Sequence, residues 1–141
     1  MPAIACNICG KINRLPTKKW KLILSDEPYV CSAKCVYDWI TTNREWVPTG
    51  GILIVEKRPF RSNFEERFNQ WLTINEWSGA YERWIFPVGN GSYTPDFFTA
   101  NGFVETKGLW RLGQKKKFKA FRKQYSNIPI LVVPWTIQSE F

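Results

Sequence analysis

The segment from Tyr93 to Gly108 constrains the fold of this chain more than any other. Phe97, Phe98 and Thr99 run into Asn101-Gly102, and Phe103 to Lys107 lead out of it, so the segment reads as a β-hairpin closed by a tight turn. With Asn101-Gly102 as the two-residue loop, Ala100 stands opposite Phe103, Phe98 opposite Glu105 and Asp96 opposite Lys107. Side chains alternate faces along a strand, so Asp96, Glu105 and Lys107 share one side of the sheet. Lengthening the loop by two residues keeps that parity, whereas a one-residue change breaks it unless a bulge intervenes.

The remainder of the chain has to cover such a hairpin. A length of 141 residues allows one ordinary domain, or a small module plus a domain of about a hundred residues. Hydrophobic residues make up 44% and aromatic residues 16%, which favours a packed α/β or α+β unit over a disordered chain. No apolar run approaches the roughly 20 residues of a membrane span, and the N-terminus lacks a signal-peptide apolar region. The expectation is a soluble, intracellular, cytoplasmic protein with no membrane partner.

A net charge of +8 points to a polyanionic partner, nucleic acid first, because counterion release rewards lysine and arginine laid along phosphates. The bland alternative is a basic protein that charge keeps in solution. Histidine is absent, which removes His-based metal sites, His general bases and Ser-His or Cys-His nucleophiles. Catalysis would have to run on carboxylates, lysines and bound metal.

The four cysteines all lie early, as Cys6-x-x-Cys9 and Cys31-x-x-x-Cys35. Two close pairs separated by a loop are how a tetrahedral four-thiolate Zn²⁺ site is assembled, and four thiolates leave no position for a catalytic water. Residues 1–45 therefore read as a zinc-binding module whose ion supplies folding energy. Two disulfides are the competing reading, disfavoured in a reducing compartment. Lys18, Lys19, Trp20 and Lys21 between the pairs suit either DNA contact or a solvated strand edge.

Residues 46–141 then form the second unit. Pro48, Gly50 and Gly51 mark a linker, and Ile52 to Val55 a short strand or tether. Phe64, Phe68, Trp71 and Leu72 carry helical period behind Ser62, a natural N-cap, with Glu65 in the capping-box position. Tyr81 to Phe86 reads as a strand and Pro87 to Gly91 as a turn. Residues 114–125 form a basic helix, with Phe118, Phe121 and Tyr125 buried and Lys115, Lys116, Lys117, Lys119, Arg122 and Lys123 outward. These cations and Arg61 suit phosphate contacts, and no base-reading helix stands out, so shape would be read rather than sequence. Ile128 to Val133, apolar throughout, is an interior strand.

Phosphodiester hydrolysis needs a nucleophilic water, neutralised phosphate charge and help for the leaving oxygen. Mg²⁺ takes one or two carboxylates and keeps several waters, which Asp96 and Glu105 satisfy, with the Thr106 carbonyl a further ligand. Lys107 orients the water or stabilises the developing charge. Ordinary decoration of a hairpin by an Asp/Lys pair is the competing reading.

The stretches Phe60-Arg61-Ser62-Asn63-Phe64-Glu65-Glu66, Tyr93-Thr94-Pro95-Asp96-Phe97-Phe98 and Asn101 to Trp110 closely resemble the bacteriophage endonuclease I family of Holliday-junction resolvases, of the PD-(D/E)xK nuclease superfamily, over about residues 60–133. The resemblance implies a restriction-endonuclease-like α/β fold, a mixed sheet flanked by helices, with a two-metal Mg²⁺ (or Mn²⁺) site. In it Glu65 joins Asp96 and Glu105 as ligands, and Lys107 is the catalytic lysine. It implies a homodimer that exchanges elements and cuts four-way or branched DNA junctions, in the host cytoplasm if phage-encoded. The cysteine module is extra to the family, the chain ends at Phe141 soon after the last strand, and Pro87 to Ser92 is shorter than the family's bridge between protomers, which leaves open whether one chain or two compose the site. A nicking or double-strand endonuclease acting on ordinary duplex and a non-catalytic, zinc-dependent DNA-binding protein are the alternatives.

Overall fold

The computed structural model describes residues 3–14, 29–42, 46–54, 56–77, 80–107 and 111–141. Lys18, Lys19, Trp20 and Lys21, together with Gly108 to Trp110, lie outside the described residues. No helix among those described is long and apolar enough to cross a membrane.

A four-stranded sheet organises the chain. Its order is β4 (Ala80–Tyr81), β7 (Phe97–Thr99), β8 (Gly102–Lys107) and β9 (Ile130–Pro134). The first two pairings are antiparallel, and β8 runs parallel to β9 after a crossover through α3 (Leu112–Gln124). A second sheet orders β3 (Ile52–Leu53), β5 (Trp84–Val88) and β6 (Gly91–Tyr93), and β1 (Ala3–Ala5) pairs with β2 (Ile12–Arg14). Helices α1 (Ala33–Thr41) and α2 (Asn63–Ile74) each start behind a serine N-cap, Ser32 and Ser62, and Trp135–Glu140 closes the chain as a 3₁₀ turn. The mixed sheet flanked by helices is the α/β architecture expected.

Burial divides along the alternation of β8. Val104 enters a cluster with Leu131, Val133, Phe97 and the α2 stripe Phe64, Phe68 and Leu72. Phe103 enters another with Val132, Phe86, Tyr93 and the α3 residues Phe118 and Phe121. Each such side chain contributes about 1.5–3 kcal/mol on leaving water. The N-terminal segment shares the first of these cores: Cys6, Val30, Cys35, Val36 and Ile40 are buried in it. The Trp46 indole N–H also reaches the Ala100 carbonyl (2.9 Å), and the Ala33 amide reaches Glu140 Oε1 (2.9 Å).

Three local expectations shift. The hairpin turn is Ala100-Asn101, not Asn101-Gly102: Thr99 pairs with Gly102, Phe98 with Phe103 and Phe97 with Val104. Gly102 is held inside the ladder because a side chain there would strike the Pro129 carbonyl oxygen at 2.6 Å and Trp39 Cη2 at 2.8 Å. Asn101, fully buried, donates through its side-chain amide to the Trp39 carbonyl. Continuing the count outward brings Asp96 level with Glu105 rather than Lys107, so the pairing moves by two residues and the shared face survives.

The strand expected over Tyr81 to Phe86 is broken at Glu82, whose φ is +46°, and the turn expected over Pro87 to Gly91 contracts to Gly89-Asn90, with Pro87 and Val88 paired to Ser92 and Gly91. Pro87 lies beyond the reach of β3, which pairs only with Trp84 and Ile85, so that neighbour asks no donor of it.

Candidate active site

Glu65, Asp96, Glu105 and Lys107 line one cavity of about 540 Å³. Each arrives there for a local reason. Glu65 stands in the first turn of α2, where the helix dipole favours an acid. The Ser62 hydroxyl accepts the Glu65 N–H and contacts Glu65 Oε1, both at 3.2 Å, and the Tyr81 hydroxyl donates to Oε2. Capping and presentation of the carboxylate into the cavity are therefore done by the same residue.

Asp96 directly precedes β7. The Thr106 backbone N–H and hydroxyl both donate to Asp96 Oδ2 at 2.9 Å and so hold that carboxylate in place. Glu105, 2% exposed, accepts from the Tyr93 hydroxyl. Burial, and then the neighbouring Glu105 charge, hold Asp96 well above the usual carboxylate range. Burial also raises Glu105, opposed chiefly by the Lys107 ammonium. Side by side and buried, the two carboxylates resist ionising together, and a cation between them would relieve that cost. Desolvation and the adjacent carboxylates raise both tyrosine hydroxyls, which keeps them protonated as donors.

The donor set fits a hard divalent cation. Carboxylate oxygens of Glu65, Glu82 and Asp96 lie within 4.8 Å of one another, the Glu105 carboxyl meets that of Asp96 in the same cavity, and oxygen ligands without histidine or thiolate suit Mg²⁺ or Mn²⁺. Glu82 has no part in the sequence reading. It is 3% exposed and meets two guanidinium groups, Arg58 Nη1 at 3.1 Å and Arg61 Nε at 3.0 Å. The one available signal was an acid set among the aromatic residues Tyr81 and Trp84, where an uncompensated charge is costly.

Of the cations expected to meet DNA, Arg61 and Lys117 line the cavity, joined by Arg58. Lys107 also borders an adjoining cavity of about 630 Å³ with Arg111 and Gln114. Lys115, Lys116, Lys119 and Lys123 lie on α3 outside both linings, and Arg122 sits over the Phe118 ring, 5.7 Å from its centroid.

The four cysteines also converge. Their sulfurs lie within 4.8 Å of one another, with Cys31 Sγ 3.6 Å from both Cys9 Sγ and Cys35 Sγ. A disulfide needs about 2.05 Å, whereas thiolates about 2.3 Å from one tetrahedral ion stand roughly 3.8 Å apart. The Ile8 amide points at Cys6 Sγ (3.4 Å), a donor that stabilises a metal-bound thiolate. Burial pushes the Cys35 thiol up to about 12, so this thiolate needs a cation to form at neutral pH.

The family model described as Phage endonuclease I matches residues 45–139. The chain is 39% identical over 79 residues to "Endonuclease I" of Escherichia phage T7, covering 52% of this chain and 53% of that protein. It is 37% identical over 81 residues to "Endodeoxyribonuclease 1" of Enterobacteria phage T3, covering 54% and 53%. The chain thus spans about half the length of the curated relatives it matches. No solved structure matches it.

Proposed function

Since the chain belongs to the phage endonuclease I family, we propose that it is a divalent-metal-dependent endodeoxyribonuclease acting as a homodimer on four-way or branched DNA junctions. The observation that carries this reading is the meeting of Glu65, Asp96, Glu105 and Lys107 in one cavity. Asp96, Glu105 and Glu65 would hold Mg²⁺ or Mn²⁺. When bound, the cation supplies a water of lowered pKa and neutralises charge on the phosphate. Thr106 fixes Asp96 Oδ2, and Tyr81 and Tyr93 each occupy one oxygen of Glu65 and Glu105, so every carboxylate is oriented before substrate arrives. Lys107 directs an ammonium at the attacked phosphate and holds its developing charge. The cysteine cluster would take one structural Zn²⁺ per chain. Its coordination sphere is then full, so it has no catalytic part.

Cleavage of a four-way junction and of linear duplex, each with Mg²⁺ and with EDTA, tests the proposal. Metal-dependent cutting of the junction in preference to duplex is the expected result. Equal cutting of both substrates sinks the junction assignment, and no metal-dependent cutting of either sinks the nuclease.

A further inference from the structure

Glu82 poses a chemical question that Glu65, Asp96, Glu105 and Lys107 leave unanswered. It is 3% exposed at a position where backbone φ is +46°, and its N–H donates to the Asp96 carbonyl (2.7 Å), one residue before β7. A non-glycine residue in the left-handed region is disfavoured, so this conformation is maintained by what it holds. What it holds is two arginines: Arg58 Nη1 lies 3.1 Å from Oε1, Arg61 Nε 3.0 Å from Oε2 and Arg61 Nη2 3.2 Å from Oε1. Neutralising one buried carboxylate requires only one of them. Their side chains are 36% and 70% exposed, and ion pairs that open to water add little stability.

Each guanidinium carries five N–H donors, so each keeps donors beyond those that Glu82 takes. Both line the cavity with Asp96 and Glu105. Taking that cavity as the nuclease site, we propose that Glu82 is the buried anchor of an arginine clamp, in which Arg58 and Arg61 grip a DNA backbone phosphate next to the one cut. Planar forked donors suit a phosphodiester, and a carboxylate behind them fixes their angle before the strand arrives. Glu82 is thus a positioning residue tied through one backbone hydrogen bond to the Asp96 segment. The registration of the strand on the metal site follows from that tie.

The test is DNA affinity in EDTA, where nothing is cut, for wild type and Glu82→Gln across a range of salt. The substitution raises the formal net charge of +8 by one, so charge alone makes binding tighter. The clamp makes it about tenfold weaker, with the salt slope reduced by about one or two phosphates. Affinity that is unchanged or tighter overturns the proposal. So does a fall in Mg²⁺ affinity with DNA binding intact, which makes Glu82 a metal ligand instead. If Glu82→Gln melts below the assay temperature, Arg61→Ala decides, since its exposed side chain can be removed without opening the core. About a tenfold loss supports the clamp, and less than twofold refutes it. Wild type that fails to bind DNA overturns both this proposal and the nuclease reading, whereas binding without Mg²⁺-dependent cleavage overturns the latter alone.

Discussion

Replacing Gly102 with alanine tests how the hairpin is seated. Gly102 has φ +146°, and a Cβ there would lie 2.6 Å from the Pro129 carbonyl oxygen, 2.7 Å from Pro129 Cβ and 2.8 Å from Trp39 Cη2. The Trp39 ring edge can swing aside, but the Pro129 carbonyl cannot, because it accepts the Phe103 N–H (2.9 Å) where β8 meets β9. Backbone strain costs about 1–3 kcal/mol. Overpacking against fixed atoms adds about 1–3 kcal/mol, giving ~4 kcal/mol out of a typical total of about 5–15. With a urea slope of roughly 2 kcal/mol/M, the unfolding midpoint falls by ~2 M at unchanged slope. Gly113→Ala is the internal control. Nothing lies within 4 Å of its Cβ in the first turn of α3, and the change should be neutral or stabilise by up to about 1 kcal/mol. A midpoint shift for Gly102→Ala below about 0.5 M, equivalent to ~1 kcal/mol, would refute the close approach of hairpin, Trp39 and Pro129.

Three further outcomes follow from the two clusters. Asp96→Asn should lower Mg²⁺-dependent cleavage by at least about a hundredfold while DNA binding in EDTA persists, since charge stabilisation by a held metal is worth several kcal/mol; cleavage within twofold of wild type rules out its role. In EDTA, Asp96 and Glu105 have folded-state pKa values above their unfolded ones, so their contribution is present below the unfolded values and lost as pH rises through the raised ones. Metal-free protein should therefore lose stability from about pH 4 toward neutrality relative to Asp96→Asn, and Mg²⁺ at tenfold its Kd should restore ~1.4 kcal/mol at pH 7. Thermal melts showing no Mg²⁺ effect count against the carboxylates as its ligands. Elemental analysis should find one zinc per chain, and Cys9→Ser should lower both zinc content and Tm; less than half an ion, with Cys6 and Cys9 oxidised, removes the zinc site.

The face shared by Asp96, Glu105 and Lys107 was legible because parity is a robust property of a hairpin. Moving the turn back by one residue, from Asn101-Gly102 to Ala100-Asn101, changes each pairing by two and leaves every side chain on its own side. The partner assignments were less secure. Asn-Gly favours a tight turn locally, but Gly102 is needed where the strand passes Pro129, and Asn101 is drawn to Trp39, which lies 62 residues earlier. Both reasons are long-range contacts, so a local turn preference could not carry them.

The helical stripe of α2 and the convergence of the cysteines were readable for a similar reason, since period and spacing belong to short stretches of chain. What spacing did not reveal is that the cysteine segment shares a core with α2 and the sheet. Nor did it reveal Glu82, whose place depends on a strand break at positive φ and on arginines 21 and 24 residues before it. The two omissions have one physical cause. A buried charge and a shared core are satisfied by partners remote in sequence, and their stabilisation exists only after the sheet has assembled. Motif reading therefore finds the groups that would touch the metal sooner than the groups that aim the substrate. For that reason substitution at Glu82 should weaken DNA binding in EDTA, whereas Asp96→Asn should leave that binding intact and remove metal-dependent cleavage.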